Sequence, residues 1–117
     1  VKRRLRLRRR QDFDRVMRGQ RVFAGRTLVA FARPNEHGRW RVGVATSRRL
    51  RGAVARNRLR RRLREAARSS LLPPAASAPG TGYDVVLVGR PAAAELPLAA
   101  LEQETTRVRA RLTGDDR

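Results

Sequence analysis

Cysteine is absent from this 117-residue chain, which excludes a disulfide framework, a thiolate zinc ribbon and a thiol nucleophile. Histidine occurs once, as His37 in the run Pro34-Asn35-Glu36-His37-Gly38. It has no companion for metal ligation or proton relay there, and it is expected to be exposed and idle. Aromatic residues make up only 4% of the chain, so a ring used on a ligand is taken from a small supply for the core. Acidic residues number 10 against 29 basic ones, and they are scattered: Asp12 and Asp14 fall on different helix faces, as do Glu102 and Glu104, and Asp115-Asp116 lies in the tail. Phosphodiester hydrolysis by paired metals needs clustered carboxylates holding ions ~3.5–4 Å apart, so we assign no catalytic residue and no metal ligand. No apolar run approaches the ~18 residues of a membrane span, and the basic start over residues 1–10 is not followed by the apolar stretch of a secretory signal. A soluble cytoplasmic protein with no membrane partner and no small-molecule substrate is expected, monomeric as a free chain.

What the chain has in excess is positive charge. Its formal net charge is +19 at pH 7, which cannot be neutralised internally, so it costs stability through self-repulsion and draws in polyanions. Lys2 is the sole lysine. Arginine grips phosphate through a two-pronged fork and stacks on bases, where lysine acts as a point charge. The favoured partner is therefore a polyphosphate. A cationic membrane-active protein is the weaker reading, because no segment has lipid-spanning length.

The charge is concentrated on one helix. At ~100° per residue, Ala55, Leu59, Leu63, Ala66 and Ala67 form an apolar seam, and Asn57, Arg61, Arg64 and Arg68 line the opposite side. Two flanks carry Arg56 with Arg60 and Arg58 with Arg62. Seven arginines lie between Arg56 and Arg68, with Glu65 the only acid among them, so a merely solvated charged face is the weaker reading.

Residues 9–18 read as a short helix with Phe13, Val16 and Met17 on one face and Gly19 as its stop. Residues 27–33 alternate as a strand, with Val29 and Phe31 on one side and Leu28, Ala30 and Ala32 on the other. Residues 34–38 form a turn and 40–46 return as a second strand, so a hairpin is expected; 22–25 read as a short additional strand. The arginine helix runs over 53–72 and Pro73-Pro74 ends it. Residues 73–82 make a Pro/Ala/Gly loop, and 83–88 are a near-continuous apolar strand of the kind buried on both faces. Pro97 opens a last helix with Leu98, Leu101, Thr105, Val108 and Leu112 at helical spacing. The expected architecture is a single-domain α+β sandwich: three helices on a small, mainly antiparallel sheet, in the order α-β-β-(β)-α-β-α. Residues 1–8 form a basic arm and 113–117 a frayed tail. A crossover through the arginine helix is right-handed by the general rule.

The segment Ala55-Arg56-Asn57-Arg58-Leu59-Arg60-Arg61-Arg62-Leu63-Arg64-Glu65, led in by Val42-Gly43-Val44-Ala45-Thr46-Ser47-Arg48-Arg49 and Gly52-Ala53-Val54, resembles the protein subunit of bacterial ribonuclease P. The resemblance extends to Arg4-Leu5-Arg6 and Asp12-Phe13 upstream and to Asp84-Val85-Val86 and Arg90-Pro91 downstream. It implies a single RNA-binding domain whose partners are a catalytic RNA subunit and precursor tRNA. The protein would assist removal of the 5′ leader while the RNA performs catalysis and mainly holds Mg2+. It also implies a left-handed crossover, against the general rule. Residue by residue, it places Arg56, Asn57, Arg58, Arg60 and Arg62 of the Arg-Asn-Arg segment against the partner RNA. Phe13, Met17, Phe31, Asn57, Arg61 and Arg64 would form a cleft for the leader, where Met17 departs from the aromatic often found at its position. Arg48, Arg49 and Arg68 are candidates for further phosphate contacts.

From the residues alone, Phe13 and Phe31 read first as core; the resemblance shifts at least one towards stacking on bases. Asn57 reads equally as a helix brace and as a contact to RNA or metal-bound water, and Ser47 equally as a turn brace and a phosphate ligand. Trp40 reads as packing, Gly43 as a site of close packing and Gly52 as a tight turn. A ribosomal or other structural RNA-binding protein with no processing role is the competing reading.

Overall fold

The last strand organises the molecule. In the computed structural model, which describes residues 6–35, 38–72 and 82–113, strand β4 (Gly82–Gly89) lies between β2 (Leu28–Asn35) and β3 (Arg41–Thr46), and β1 (Gln20–Ala24) completes a sheet of order β1-β2-β4-β3. Val85, Val86 and Leu87 are fully buried, so both faces of β4 are covered, as its continuous apolar run demands. β2 is antiparallel to β1 and to β4, and β3 is parallel to β4. The sheet is mainly antiparallel, with one parallel pair.

The hairpin expected between residues 27–33 and 40–46 does not form. Local alternation and an intervening turn cannot reveal that a strand some forty residues downstream is more apolar than either partner and takes the central place. The expected turn over 34–38 also begins later, because β2 continues through Pro34 and Asn35. Pro34 is tolerated since β1 starts opposite Ala32 and leaves this stretch, among the described residues, paired with β4 alone. Glu36 and His37 lie outside the described residues, as do 1–5, 73–81 and 114–117, so the readings of His37, of most of the basic arm, of the Pro/Ala/Gly loop and of the frayed tail fall there.

Among the described residues three α-helices cover the sheet: α1 (Arg10–Met17), α2 (Ala53–Ser70) and α3 (Leu98–Thr113). α2 joins the adjacent parallel strands β3 and β4, which hairpin geometry could not do. Leu59, Leu63, Ala66 and Ala67 of α2 and Leu101, Thr105 and Val108 of α3 are buried, and all of these but the polar Thr105 form one cluster with Leu28, Ala30, Val42, Val44, Val85 and Leu87 from the sheet. The opposite sheet face carries a smaller cluster, Leu7, Val16 and Val86, with Phe13, Phe31 and Val88 half-buried against it. α1 thus crosses the face that α2 and α3 leave open. Before α1, Arg6 and Leu7 run along the outer edge of β3, where Leu7 N–H donates to the Val42 carbonyl at 2.9 Å.

Two features mark the sheet face that α1 crosses. A Cβ on Gly43 would stand 2.5 Å from Phe13 Cζ and 3.1 Å from Leu7 Cβ, so the missing side chain is the seat of the Phe13 ring. One row further along the same face, Asp84 accepts from Arg41 Nε at 2.8 Å and Nη2 at 2.7 Å and from Asn35 Nδ2 at 2.9 Å. The hydrogen bond to Asp84 holds the Arg41 guanidinium above its ordinary pKa. Gly43→Val should therefore lower unfolding free energy by ~1–3 kcal/mol, measured in urea. Phe13→Leu in the same chain should recover part of that loss, since the two side chains compete for one space.

Candidate nucleic-acid interface

The loop that launches α2 is braced from within. Ser47 N–H donates to the Gly89 carbonyl at 2.8 Å, and Ser47 Oγ accepts from Arg49 N–H at 3.2 Å; the hydroxyl is a turn brace. Gly52 then adopts φ +93° with no atom within 4 Å of a would-be Cβ. Backbone conformation, not crowding, requires glycine there.

Along α2 the arginines divide by what holds them. Arg56 Nη1 donates to the Leu50 carbonyl at 3.3 Å, tying the helix to its lead-in loop. Arg60 Nη1 donates to Asn57 Oδ1 at 2.8 Å, so Asn57 braces the helix surface. Arg62 donates to the carbonyls of Ala94 and Leu96, fastening the segment before α3. Arg68 pairs with Glu65, which holds the carboxyl below its ordinary pKa. Asn57, Arg58, Arg61 and Arg68, with Arg48 and Arg49 before the helix, are exposed. Arg58 and Arg61 make no hydrogen bond or ion pair with described residues. They share a groove of about 450 Å³ with Arg62, Glu65 and Leu98.

Arg64 differs from these. It is half-buried, and burial together with the nearby Arg6 and Arg60 pushes its guanidinium below the ordinary arginine pKa. None of these three like charges pairs with a carboxylate among the described residues, so an anion would relieve their mutual repulsion. Arg6 was not legible as a member, because its place follows from the bridge to Val42 on the β3 edge and its own neighbours in sequence give no sign of it.

The face crossed by α1 supplies the apolar element. Val29 stands opposite Val88, which stands opposite Ala45, and all three are half-buried, as is Phe31 in the next row. Met17 is 40% exposed at the end of α1. Phe13 and Phe31 are therefore both packed and partly open. Of the residues assigned to a leader cleft, Phe13 and Phe31 pack on this face and Met17 ends α1, Arg64 has Arg6 and Arg60 as charged neighbours, and Arg61 lines a groove with Arg58. Trp40 is 8% exposed, with its ring 5.2 Å from that of Tyr83 in an edge-on contact, so it packs.

A row of half-covered apolar side chains beside clustered guanidinium groups can hold a flexible polyanion with planar bases, through backbone charge and ring faces. Among the described residues no three of His, Cys, Asp and Glu come together as a metal site, and no helix is long and apolar enough to cross a membrane. The Ribonuclease P family model matches residues 1–113. The chain is 42% identical over 103 residues to the Ribonuclease P protein component of Roseiflexus sp. (strain RS-1), covering 87% of this chain and 80% of that one. It is 40% identical over 107 residues to the namesake from Chloroflexus aurantiacus, covering 91% and 76%. Its fold resembles that of the RNase P protein from Thermotoga maritima, with TM-score 0.73 at 24% identity over 91% of this chain and 96% of that chain. The chain belongs to the Ribonuclease P protein family.

Proposed function

We propose that this chain is the protein subunit of a ribonuclease P ribonucleoprotein, binding its catalytic RNA and the 5′ leader of precursor tRNA while the RNA cleaves the leader. The observation that most supports this reading is the Arg6, Arg60 and Arg64 cluster, without an acidic partner among the described residues, in a molecule that also carries a half-open apolar row on its sheet. Leaders differ between tRNA genes, so a surface using backbone charge and ring faces suits them better than one reading base edges. The described acids do not gather into a metal site, and in this reading Mg2+ is held mainly by the RNA, with the protein screening phosphate repulsion. Adding the chain to its cognate catalytic RNA at low magnesium should raise cleavage of precursor tRNA, more so for substrates with several leader nucleotides. No gain at any salt concentration would refute the proposal, and co-sedimentation with ribosomal subunits without an effect on processing would favour a structural RNA-binding role.

The Arg-Asn-Arg segment is assigned to the catalytic RNA through Arg58 chiefly, with Arg56, Asn57, Arg60 and Arg62 contributing the donors their internal contacts leave over. Arg58→Ala should weaken assembly with the catalytic RNA ~10- to 100-fold, the worth of one charged hydrogen bond, and should reduce the slope of log affinity against log salt by ~1. Titration of labelled RNA at several salt concentrations measures both. Arg61→Ala decides the ownership of the groove the two share: a loss confined to leader-bearing substrate keeps Arg61 in the cleft, and a loss of assembly equal to that of Arg58→Ala moves it to the catalytic-RNA surface.

A further inference from the structure

α1 divides the sheet face it crosses. On one side lies the apolar row Val29, Val88 and Ala45; on the other lies the polar row Arg33, Asp84 and Arg41, set by the same strand register. Beyond the polar row, at the C-terminal end of α1, Arg15, Arg18 and Arg33 line a notch of about 440 Å³ with Gly19, Gln20 and Pro34. The notch exists because β1 begins opposite Ala32, so that among the described residues no strand lies beside the Arg33 and Pro34 edge of β2. All three arginines are exposed. Among the described residues the acids on this side do not neutralise them. Asp84 is bonded to Arg41 and Asn35, and neither Asp12 nor Asp14 pairs with any of the three among the described residues. Gly19 is held close, since a Cβ there would stand 3.1 Å from the Val16 carbonyl and 3.2 Å from the Ala32 carbonyl, so the floor of the notch is backbone and its rim is guanidinium.

We infer that this notch is a second phosphodiester-binding site, on the far side of α1 from the apolar row, and that an RNA strand passes the end of α1 to reach it. It rests on the proposed function above. Exposed Met17 and Arg18 stand where such a strand turns, and one helix diameter, ~10 Å, separates the two sides of α1. Three forked donors around a nucleotide-sized space suit the phosphate of a flexible chain. The phosphate is that of the leader or of the catalytic RNA, and the two give different results.

The test uses the reconstituted ribonucleoprotein carrying Arg15→Ala with Arg33→Ala. Arg107→Ala with Arg109→Ala on α3 serves as a control that removes the same net charge elsewhere, and thermal melts check that both variants fold. Assembly with the catalytic RNA and affinity for precursor tRNA with short, long and no leader are measured at one salt concentration. A loss of about tenfold, one charged contact, confined to the long leader supports the site and gives its phosphate to the leader. The same loss in assembly supports it and gives the phosphate to the catalytic RNA. Behaviour equal to the α3 control in every arm overturns the inference. If wild-type protein fails to promote cleavage, the proposed function fails, and the notch is then judged by binding of a single-stranded RNA oligonucleotide to the intact chain, where the same tenfold contrast with the control is expected.

Discussion

Leu63→Ala should lower unfolding free energy by ~2–5 kcal/mol, the cost of a buried leucine removed with little collapse around the hole. Leu63 is fully buried in the seam that seats α2. The sheet beneath has no slack. A Cβ on Gly89 would lie 2.7 Å from Leu59 Cδ2 and 3.1 Å from Leu63 Cδ1, so the two leucines already rest on bare β4 backbone. Strand backbone paired on both sides, to Leu28 and to Thr46, cannot move inward to refill the space. Small domains hold ~5–15 kcal/mol in all, and this one carries a net charge of +19 that works against compaction. The variant should thus be partly unfolded at low salt and recover as salt screens the repulsion. Urea unfolding at two ionic strengths measures both effects. A loss under ~0.5 kcal/mol at low salt, the level of an inert surface change, would mean that α2 is not held by this seam.

The seam itself was legible because its periodicity depends only on residues within one helix. Leu59, Leu63, Ala66 and Ala67 are buried where the spacing put them, and so are Leu101, Thr105 and Val108 of α3. The two-sided burial of β4 was legible for a similar reason, since an unbroken apolar run has no solvent face. Strand order was not, because pairing between β2 and β4 is a competition between distant segments that no local pattern records. The site shows the same division. Helical spacing put Arg58 and Arg61 on the exposed surface, but it could not foresee that the Ala94 and Leu96 carbonyls reach back to occupy Arg62. Nor could it foresee that Arg6 arrives beside Arg64 along the β3 edge. Phe13 stayed ambiguous for a physical cause: its ring fills the space above Gly43 and remains half-buried, so packing and an open ring face coexist in one side chain.

Arg64→Met should move stability and RNA binding in opposite directions. Burial first, then Arg6 and Arg60, lower the Arg64 pKa in the folded chain. A base whose folded pKa lies below its unfolded value is charged in both states at neutral pH, and folding then carries the cost of placing that charge among its like. The cost would vanish only as pH rises through the depressed value, far above neutrality. Methionine keeps the length and the apolar stem that arginine lays on its neighbours and removes the charge, so the free variant should melt higher than the parent at low salt. The difference should shrink as salt is added, because screening relieves the parent of part of the same repulsion. In the ribonucleoprotein the sign reverses. The charge that destabilises the free chain is the one an RNA phosphate neutralises, and its loss should weaken leader-bearing substrate ~10- to 100-fold while mature tRNA is held nearly as before. Thermal melts at two salt concentrations, paired with substrate titrations with and without a leader, separate the two halves. A lower melting temperature at low salt would make Arg64 a structural residue. A higher one with leader binding intact would leave the cluster repulsive without a use, and the anion seat on the β3 edge would have to be abandoned.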